Sequence, residues 1–463
     1  MSDKLGSWGE LFGRRYLGVL VVLAGGVALY ATNVYLTTSL LPSAIEEIGG
    51  ARFYAWATTI FLLPSVAAAV LVSRLLAATT HRGAYLLAIG LFTLGSAIAS
   101  VAPDMGVLLA GRAVQGAGGG LLAGLAYALL RVTLPERLWA RGAALISTMW
   151  AVGTFLGPVL GGLWAQFGLW RGGFVCLGML SLVVLAFAPK ALGQGRTTAE
   201  AERFPLAGLL LVAGSALVVS VAGLFGSPLV SAIGVVLGLV LIAVFVVVDR
   251  RGPVRVLPAS TFVRGSRLRW LYATIALLAI GSTTEQFVPL FGQRLAGLGA
   301  LAAGFLGAAL AFGWTAGEVP SANAAREVWV RRLIVLGPAV LAFGLAAGAV
   351  FAPGGVLVPL VIALLLAGTG IGIAWPHVTS VAMGAVGDSE GGKAAAGINT
   401  VQLLANAFGA ALTGLLVNLA GADIPLAAGL MFGAVALIGV LGVATAVAGV
   451  RRSRVPEPEP VTS

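Results

Sequence analysis

The chain has 463 residues, of which 59% are hydrophobic and 10% are charged. Soluble domains carry about 25% charged residues, so this composition excludes an ordinary soluble protein and indicates a chain that crosses the membrane many times. The formal net charge is +11, a value also found in nucleic-acid-binding proteins, so the distribution of the basic residues has to be known before any partner is inferred.

A membrane-spanning helix needs about 20 mostly apolar residues. By this criterion the sequence predicts an all-α polytopic membrane protein with fourteen spans. The predicted spans lie at residues 17–41, 54–73, 83–101, 106–130, 142–167, 172–189, 206–225, 228–248, 270–292, 296–317, 333–351, 356–383, 394–420 and 425–449.

Polar and basic stretches divide the predicted spans into groups of six, two and six. We therefore expect an N-terminal six-helix bundle (1–190), a linker (191–205), two inserted helices (206–248), a basic linker (249–269), a C-terminal six-helix bundle (270–450) and a charged, proline-rich, disordered tail (451–463). Each bundle opens with a span that turns polar before a proline, NVYLTTSLLP (33–42) and STTEQFVP (282–289). This similarity supports two parallel repeats, which in transporters place a binding site between two rocking bundles.

An even number of spans puts both termini on one side of the membrane. Almost all of the 28 Lys and Arg residues fall in the loops of that side, and the opposite loops hold only Arg52, Arg171 and Arg294. By the positive-inside rule the termini are cytoplasmic, and the positive charge then reflects topology and not nucleic-acid binding. Glycine- and alanine-rich spans with more Arg than Lys indicate the cytoplasmic (inner) membrane of a bacterium.

The decapeptide GTFLGPVLGG (153–162) lies inside the fifth predicted span. Its glycines at 153, 157 and 161 are four residues apart, so they share one helical face and let a neighbouring backbone approach closely. Pro158 removes one backbone hydrogen bond and can bend the helix, which membrane helices tolerate. Tight packing alone would also explain this spacing.

These residues also resemble a known family. GTFLGPVLGG fits G-x-x-x-G-P-x-x-G-G, the fifth-helix antiporter motif of drug:proton exporters in the major facilitator superfamily, through Gly153, Gly157, Pro158, Gly161 and Gly162. Upstream, LLAGRAVQGAGGG (108–120) resembles the superfamily's fourth-helix motif L-x-x-x-R-x-x-Q-G. The fourteen spans and the Trp170–Arg171 pair are similar to the 14-helix branch. The resemblance implies a major-facilitator fold and a role for Arg112 and Gln115 in proton coupling.

Two departures from the family pattern affect what the resemblance implies. The loop SRLLAATTHRG (73–83) lacks the acidic residue and the glycine of the family's G-x-L-a-D-r-x-G-r pattern and keeps only scattered basic residues, so the resemblance leaves open whether this loop still gates. Asn33 stands about where the branch often carries an aspartate, which weakens the expectation of a cation site in the first helix.

Charged residues within the predicted spans are candidates for proton coupling. Arg112 lies inside a span, where an arginine costs at least ~2.5–3.5 kcal/mol, so it should face the protein interior or water. Glu285 is the one acidic residue well inside a span, and a carboxyl group taken out of water binds a proton more tightly. Structural alternatives are an arginine that caps carbonyl groups and a glutamate at a wet cavity rim. Glu318 is expected to act as a gate residue.

Other polar and aromatic side chains within the spans predict a substrate cavity of broad specificity. Each of them would also be explained by a hydrogen bond between helices or by an interface anchor. The predicted cavity residues are Asn33, Thr37, Trp314, Trp375, His377, Asn399, Gln402 and Asn406.

Enzyme signals are absent from the sequence. GAGGG (116–120) neither follows a strand nor precedes a lysine-serine pair, so it is not a phosphate-binding loop. His81, His377 and Cys176 are far apart in sequence and do not suggest a transition-metal site. We therefore expect no enzyme activity, no cofactor and no metal, with the proton gradient as the energy source.

The sequence thus favours a monomeric, proton-driven exporter of amphipathic small molecules, with the helix-five glycine face as a close-packed hinge that slides or reseals as the bundles rock. Its expected partners are the substrate, protons and the lipid bilayer. An exporter dedicated to one metabolite, lipid or conjugate would share every motif, because fold does not fix function. A non-transporting membrane sensor or scaffold is a third possibility.

Overall fold

The structure, a computed structural model, describes residues 7–195, 206–252, 255–263, 265–324, 326–386 and 391–451. Within these ranges the regular elements are all helical, and fourteen helices are long and apolar enough to cross a membrane, which confirms the predicted fold class. We number them Arg14–Ile48 (α1), Trp56–Val70 (α2), His81–Ser100 (α3), Met105–Thr133 (α4), Glu136–Gln166 (α5), Trp170–Ala191 (α6), Leu206–Gly223 (α7), Pro228–Arg251 (α8), Leu268–Arg294 (α9), Ala300–Ser321 (α10), Glu327–Phe351 (α11), Leu357–Met383 (α12), Gly391–Leu419 (α13) and Ile424–Val450 (α14).

The two groups of six helices pack in the same way. In the N-terminal half, α1 packs on α5 and α6, α4 packs on α2 and α3, and α3 packs on α6. The same pairs recur eight helices later, since α9 packs on α13 and α14, α12 on α10 and α11, and α11 on α14. The chain therefore contains two six-helix halves with the same helix packing, α1–α6 and α9–α14.

The halves meet along a seam formed mainly by three helix pairs, α5 with α10, α1 with α10, and α2 with α13, and α9 also touches α1. We call the face where α1 begins and α14 ends the terminal face, and the other end the opposite face. Two polar contacts tie the seam at the opposite face: Arg294 Nη2 lies 2.7 Å from Glu46 Oε1, and Asn418 Nδ2 donates to Arg52 O at 2.9 Å. The inserted α7 packs on α8, on α13 and, less extensively, on α2.

The structure extends some predicted elements. Helix α1 continues past the predicted end at residue 41 to Ile48, because Pro42 is accommodated inside it, and it stops at Gly49 and Gly50, whose φ angles of 71° and 81° favour glycine. Helix α8 continues to Arg251, so the basic linker begins later than predicted and contains the 3₁₀ turn Ala259–Phe262. Residues 196–205 of the first linker and 452–463 of the tail lie outside the described residues.

Candidate functional site

The glycine face of α5 packs directly against the backbone of α1. A Cβ added at Gly153 would lie 2.7 Å from Thr32 N, one at Gly157 2.9 Å from Leu36 N, and one at Gly161 2.9 Å from Leu36 Cα. Such distances are too short for a side chain, so the two helices can touch here only because these positions are glycine. The predicted close neighbour is therefore α1, which belongs to the same half.

The end of the motif contacts the other half instead. A Cβ at Gly162 would lie 2.7 Å from Leu301 Cα, and the Cβ of Pro158 lies 3.5 Å from where a Cβ on Gly304 would stand. Leu301 and Gly304 belong to α10. The motif segment thus has two functions in packing. Three of its glycines join α5 to α1, whereas Gly162, Pro158 and the ring of Phe155, which lies 6.0 Å from that of Phe305 on α10, lie on the seam that a rocking motion would alter.

Arg112 is the centre of a buried hydrogen-bond network in the N-terminal half. Its Nη1 donates to Asn33 Oδ1 at 2.8 Å and to Gln115 Oε1 at 2.6 Å, and its Nε donates to Ala57 O at 3.1 Å. The guanidinium carbon lies 4.3 Å from the centre of the Phe61 ring. The arginine joins α1, α2 and α4, and it is only 2% exposed.

The partners of Arg112 are neutral. Gln115 passes the network to α3 by donating from Nε2 to Ser96 Oγ at 2.8 Å, and Thr37 Oγ1 lies 3.4 Å from Asn33 Oδ1. Asn33 Nδ2 is buried with no hydrogen-bond partner in the structure. Asn33 and Thr37 are almost fully enclosed, so they belong to this network and do not line an open surface.

Glu285 lies where α9 changes its helical form. The sequence predicts one continuous span here, but the α-helix ends at Ser282, residues Thr283–Phe287 form a 3₁₀ turn, and the α-helix resumes at Val288. The hydroxyl groups of Ser282, Thr283 and Thr284 donate to carbonyl groups three residues back, at 2.7–3.0 Å. Hydroxyls bonded to the preceding turn bend helices, and Pro289 supplies no N–H.

Aromatic rings close the seam two residues beyond Glu285. Phe287 of the C-terminal half stacks on Tyr54 of the N-terminal half with ring centres 4.7 Å apart, and Phe287, Phe291 and Phe432 continue the row at about 6 Å spacing. We call these four residues the aromatic seal. Tyr54 is 4% exposed and its hydroxyl has no hydrogen-bond partner, so the ring is held there by stacking and apolar packing and not by a hydrogen bond.

Glu285 also faces the N-terminal half. Tyr35 of α1 is near Glu285, and its Cβ lies directly against Gly157. The side chain of Glu285 is half-buried. A group in this position can respond when the seam changes.

A second cluster lies toward the terminal face in the C-terminal half. The rings of Trp314 on α10 and Trp375 on α12 are 5.1 Å apart, and Trp314 Nε1 donates to Glu318 Oε2 at 2.9 Å. All three side chains remain partly exposed. The structure thus brings two predicted cavity residues together with the predicted gate residue.

The remaining predicted cavity residues do not join these clusters. His377 is 6% exposed and its Nε2 lies 3.0 Å from Ser321 O, so it joins α12 to α10 and does not face an open cavity. On α13, Asn399 is exposed while Gln402 and Asn406 are half-buried, and Asn406 Oδ1 has no partner. The predicted set of eight residues is therefore three separate groups plus a structural histidine.

Three residues in these contacts were missed by sequence reasoning: Tyr35, Tyr54 and Phe287. Their partners lie on other helices, and nothing in their local sequence identifies those partners. Within the described residues, no three His, Cys, Asp or Glu side chains cluster as metal ligands would.

Comparison with known proteins agrees with this architecture. A family model described as "Major Facilitator Superfamily" matches residues 23–410. Two proteins of Mycobacterium tuberculosis (strains CDC 1551 / Oshkosh and ATCC 25618 / H37Rv), each named a "Probable multidrug-efflux transporter", are 48% identical to this chain over 442 residues and 93% of either chain. This identity extends over both halves and the inserted helices.

Solved structures show the same fold at low identity. A bacterial homologue of the human lysosomal transporter Spinster, in an inward-facing and unoccupied conformation, has a TM-score of 0.67 at 15% identity and covers 96% of this chain and 98% of its own. A point mutant of the peptide transporter POT in complex with sulfate has a TM-score of 0.67 at 15% identity over 95% of each chain. With the family match and the Mycobacterium relatives, the resemblance found in the fourth- and fifth-helix motifs is confirmed: this chain belongs to the Major Facilitator Superfamily and is a membrane transporter, not an enzyme.

Proposed function

We propose that this transporter exports amphipathic small molecules in exchange for protons, by alternating access between its two halves. The multidrug-efflux names of the Mycobacterium relatives support export of small molecules. The concentration of Lys and Arg in the loops of the terminal face supports a cytoplasmic location for that face, in the inner membrane of a bacterium. The seam contacts at the opposite face then hold the outer side closed.

The observation on which this proposal depends is the position of Glu285. It lies on the 3₁₀ turn whose Phe287 stacks on Tyr54 of the other half. A carboxylate kept from water in a seam is costly, whereas a neutral carboxylic acid is much less so. Protonation of Glu285 therefore favours the closed seam, and loss of the proton favours the arrangement that exposes Glu285 to water.

In this proposal Arg112 and Gln115 hold other residues in place and do not carry the proton themselves. The partners of Arg112 are neutral, so the proton is carried by Glu285 and not exchanged between Arg112 and a carboxylate. Arg112 fixes Asn33, and Asn33 is two residues before Tyr35 on α1. The network thus keeps Tyr35 opposite Glu285, which links the N-terminal half to the proton site.

The cluster of Trp314, Trp375 and Glu318 supports recognition of amphipathic substrates. Its aromatic faces suit flat apolar groups, and a cation beside an aromatic face and a carboxylate is stabilised by both. The exposed and half-buried amides of α13, Asn399, Gln402 and Asn406, would add hydrogen bonds for uncharged polar groups. Such a set of residues would recognise substrates by their general shape and polarity, and not by the exact structure of one compound.

The test is proton movement in liposomes. Purified protein is reconstituted with an imposed proton gradient, and lumenal pH is followed while neutral, monocationic and dicationic amphiphiles are added. We expect substrate-triggered proton movement in the parent and none in Glu285→Gln, because glutamine mimics the protonated acid and cannot release a proton. Glu318→Gln is the matched control, since it neutralises another partly buried carboxyl of the C-terminal half. It should keep proton movement for neutral amphiphiles and lose the response to cations.

Each outcome assigns a function. Proton movement that survives in Glu285→Gln would place the proton site elsewhere. A response to one compound class only would favour an exporter dedicated to a single metabolite, lipid or conjugate. No response from folded, correctly inserted protein with any compound would favour a non-transporting sensor or scaffold.

A further inference from the structure

The two inserted helices are closely fitted to the C-terminal half. A Cβ added at Gly223 of α7 would lie 3.0 Å from Leu415 Cα on α13, and one at Gly238 of α8 would lie 3.3 Å from the Phe408 ring on α13. Glycine at position 223 lets α7 approach the backbone of α13, and glycine at position 238 makes room for the Phe408 side chain. This contact resembles the fixed packing inside each half.

A folded linker fastens the insert to the same half at the terminal face. Asp249, at the end of α8, is 2% exposed and accepts the backbone N–H groups of Val256 at 2.6 Å and Leu257 at 3.1 Å. Leu257 in turn is buried and packs against Gly397 of α13. The linker therefore connects α8 to α13 through a buried carboxylate and an apolar anchor.

The contact of the insert with the N-terminal half is of a different kind. Trp56 of α2 donates from Nε1 to Ser220 O of α7 at 3.2 Å. Nearer the terminal face, Val66 of α2 shares a small apolar cluster with α7, α8 and α13. The hydrogen bond lies at the opposite-face end of α2, where the helix begins. Nearer the terminal face the contact is apolar and therefore non-directional, so there it can be exchanged for other apolar contact without loss of a specific bond.

We propose that α7 and α8 move with the C-terminal half as one rigid body. On this side of the molecule the boundary that slides during transport is then α2 against α7, and α7 shields the α2–α13 part of the seam from lipid. The inference rests on the alternating access proposed above. It assigns the insert a mechanical role that neither the family motifs nor the transport cycle requires.

Spin-label distances test this assignment without a known substrate. In a Cys176→Ser background, label pairs are placed at exposed residues near the terminal face, and distances are recorded at pH 5 and pH 8 in nanodiscs. The α7–α13 pair is Leu210→Cys with Ala395→Cys. The α2–α7 pair is Leu71→Cys with Leu210→Cys. Both pairs share the label at residue 210, so any difference between their shifts comes from the second label, on α13 or on α2.

A reference pair, Val132→Cys on α4 with Val319→Cys on α10, reports the separation of the halves away from the insert. We expect the reference pair and the α2–α7 pair to shift together between the two pH values, while the α7–α13 pair keeps one distance and one width. Two outcomes would overturn only the rigid-body assignment. One is an α7–α13 distance that shifts as much as the α2–α7 distance; the other is an α2–α7 distance that stays constant while the reference pair shifts. A reference pair that does not shift would overturn the proposed alternating access and this inference with it.

Discussion

Replacing Gly157 by alanine tests whether the glycine face of α5 is required for packing in the N-terminal half. The new methyl group would lie 2.9 Å from Leu36 N and 3.0 Å from Thr32 O. Both are backbone atoms of α1, so neither can rotate away as a side chain could, and the helices must separate. Overpacking of this kind costs about 1–3 kcal/mol, and we expect Gly157→Ala to lower the free energy of unfolding by that amount.

Gly90→Ala is the matched control, because Gly90 also lies within a membrane-spanning helix but a Cβ there meets nothing within 4 Å. The control should be neutral or gain up to ~1 kcal/mol from alanine's higher helix propensity. Unfolding is followed by tryptophan fluorescence during SDS titration of mixed micelles. Equal free energies of unfolding for the two variants would refute the conclusion that α1 and α5 touch through their backbones at Gly157.

Three further predictions concern the seam and the buried arginine. Gly162→Ala should force the halves apart at the opposite face. In a cysteine-free background, Ser39→Cys should then react about fivefold faster with a thiol reagent, as ~1 kcal/mol of overpacking implies. An unchanged labelling rate would contradict the seam contact. Tyr54→Ala removes the ring stacked on Phe287 and should speed the same labelling by about fivefold, the equivalent of ~1 kcal/mol for an aromatic pair; a parental rate would show that the stack does not hold the seam. Arg112→Lys keeps the charge but loses the planar fork, and SDS titration should show a loss of about 1.5–3 kcal/mol; no measurable loss would mean that the network is not structural.

The fold could be predicted from sequence because its main determinants are local. Each span is a run of apolar residues long enough to cross a bilayer, and the two motifs identify the fourth and fifth helices. The boundaries were less predictable where polar residues continue a helix, as at Glu46 and Glu47 in α1. The 3₁₀ turn at Thr283–Phe287 has its cause in the sequence, in three consecutive hydroxyl residues before Pro289, but an apolarity criterion does not detect it.

The candidate site was less predictable because its contacts join residues that are distant in sequence. Arg112 and Gln115 were found through a motif, yet the identity of Asn33 and Ala57 as partners depends on how three helices cross. Polarity alone placed His377 in a cavity, whereas the structure uses it between α10 and α12. Sequence reasoning identifies the residues that need a partner, and tertiary packing decides which partner each one receives.

The inserted hairpin also has a consequence for how such a chain can change. Because α7 and α8 are two helices, the chain returns to the terminal face before α9 begins, and every later loop keeps its side of the membrane. A single added helix would invert the whole C-terminal half and exchange its inner and outer loops, including the one that carries Arg294. Helices can therefore be inserted at this place only in even numbers. A hairpin of two helices is the smallest insertion that keeps the C-terminal half in its orientation and so leaves the direction of transport unchanged.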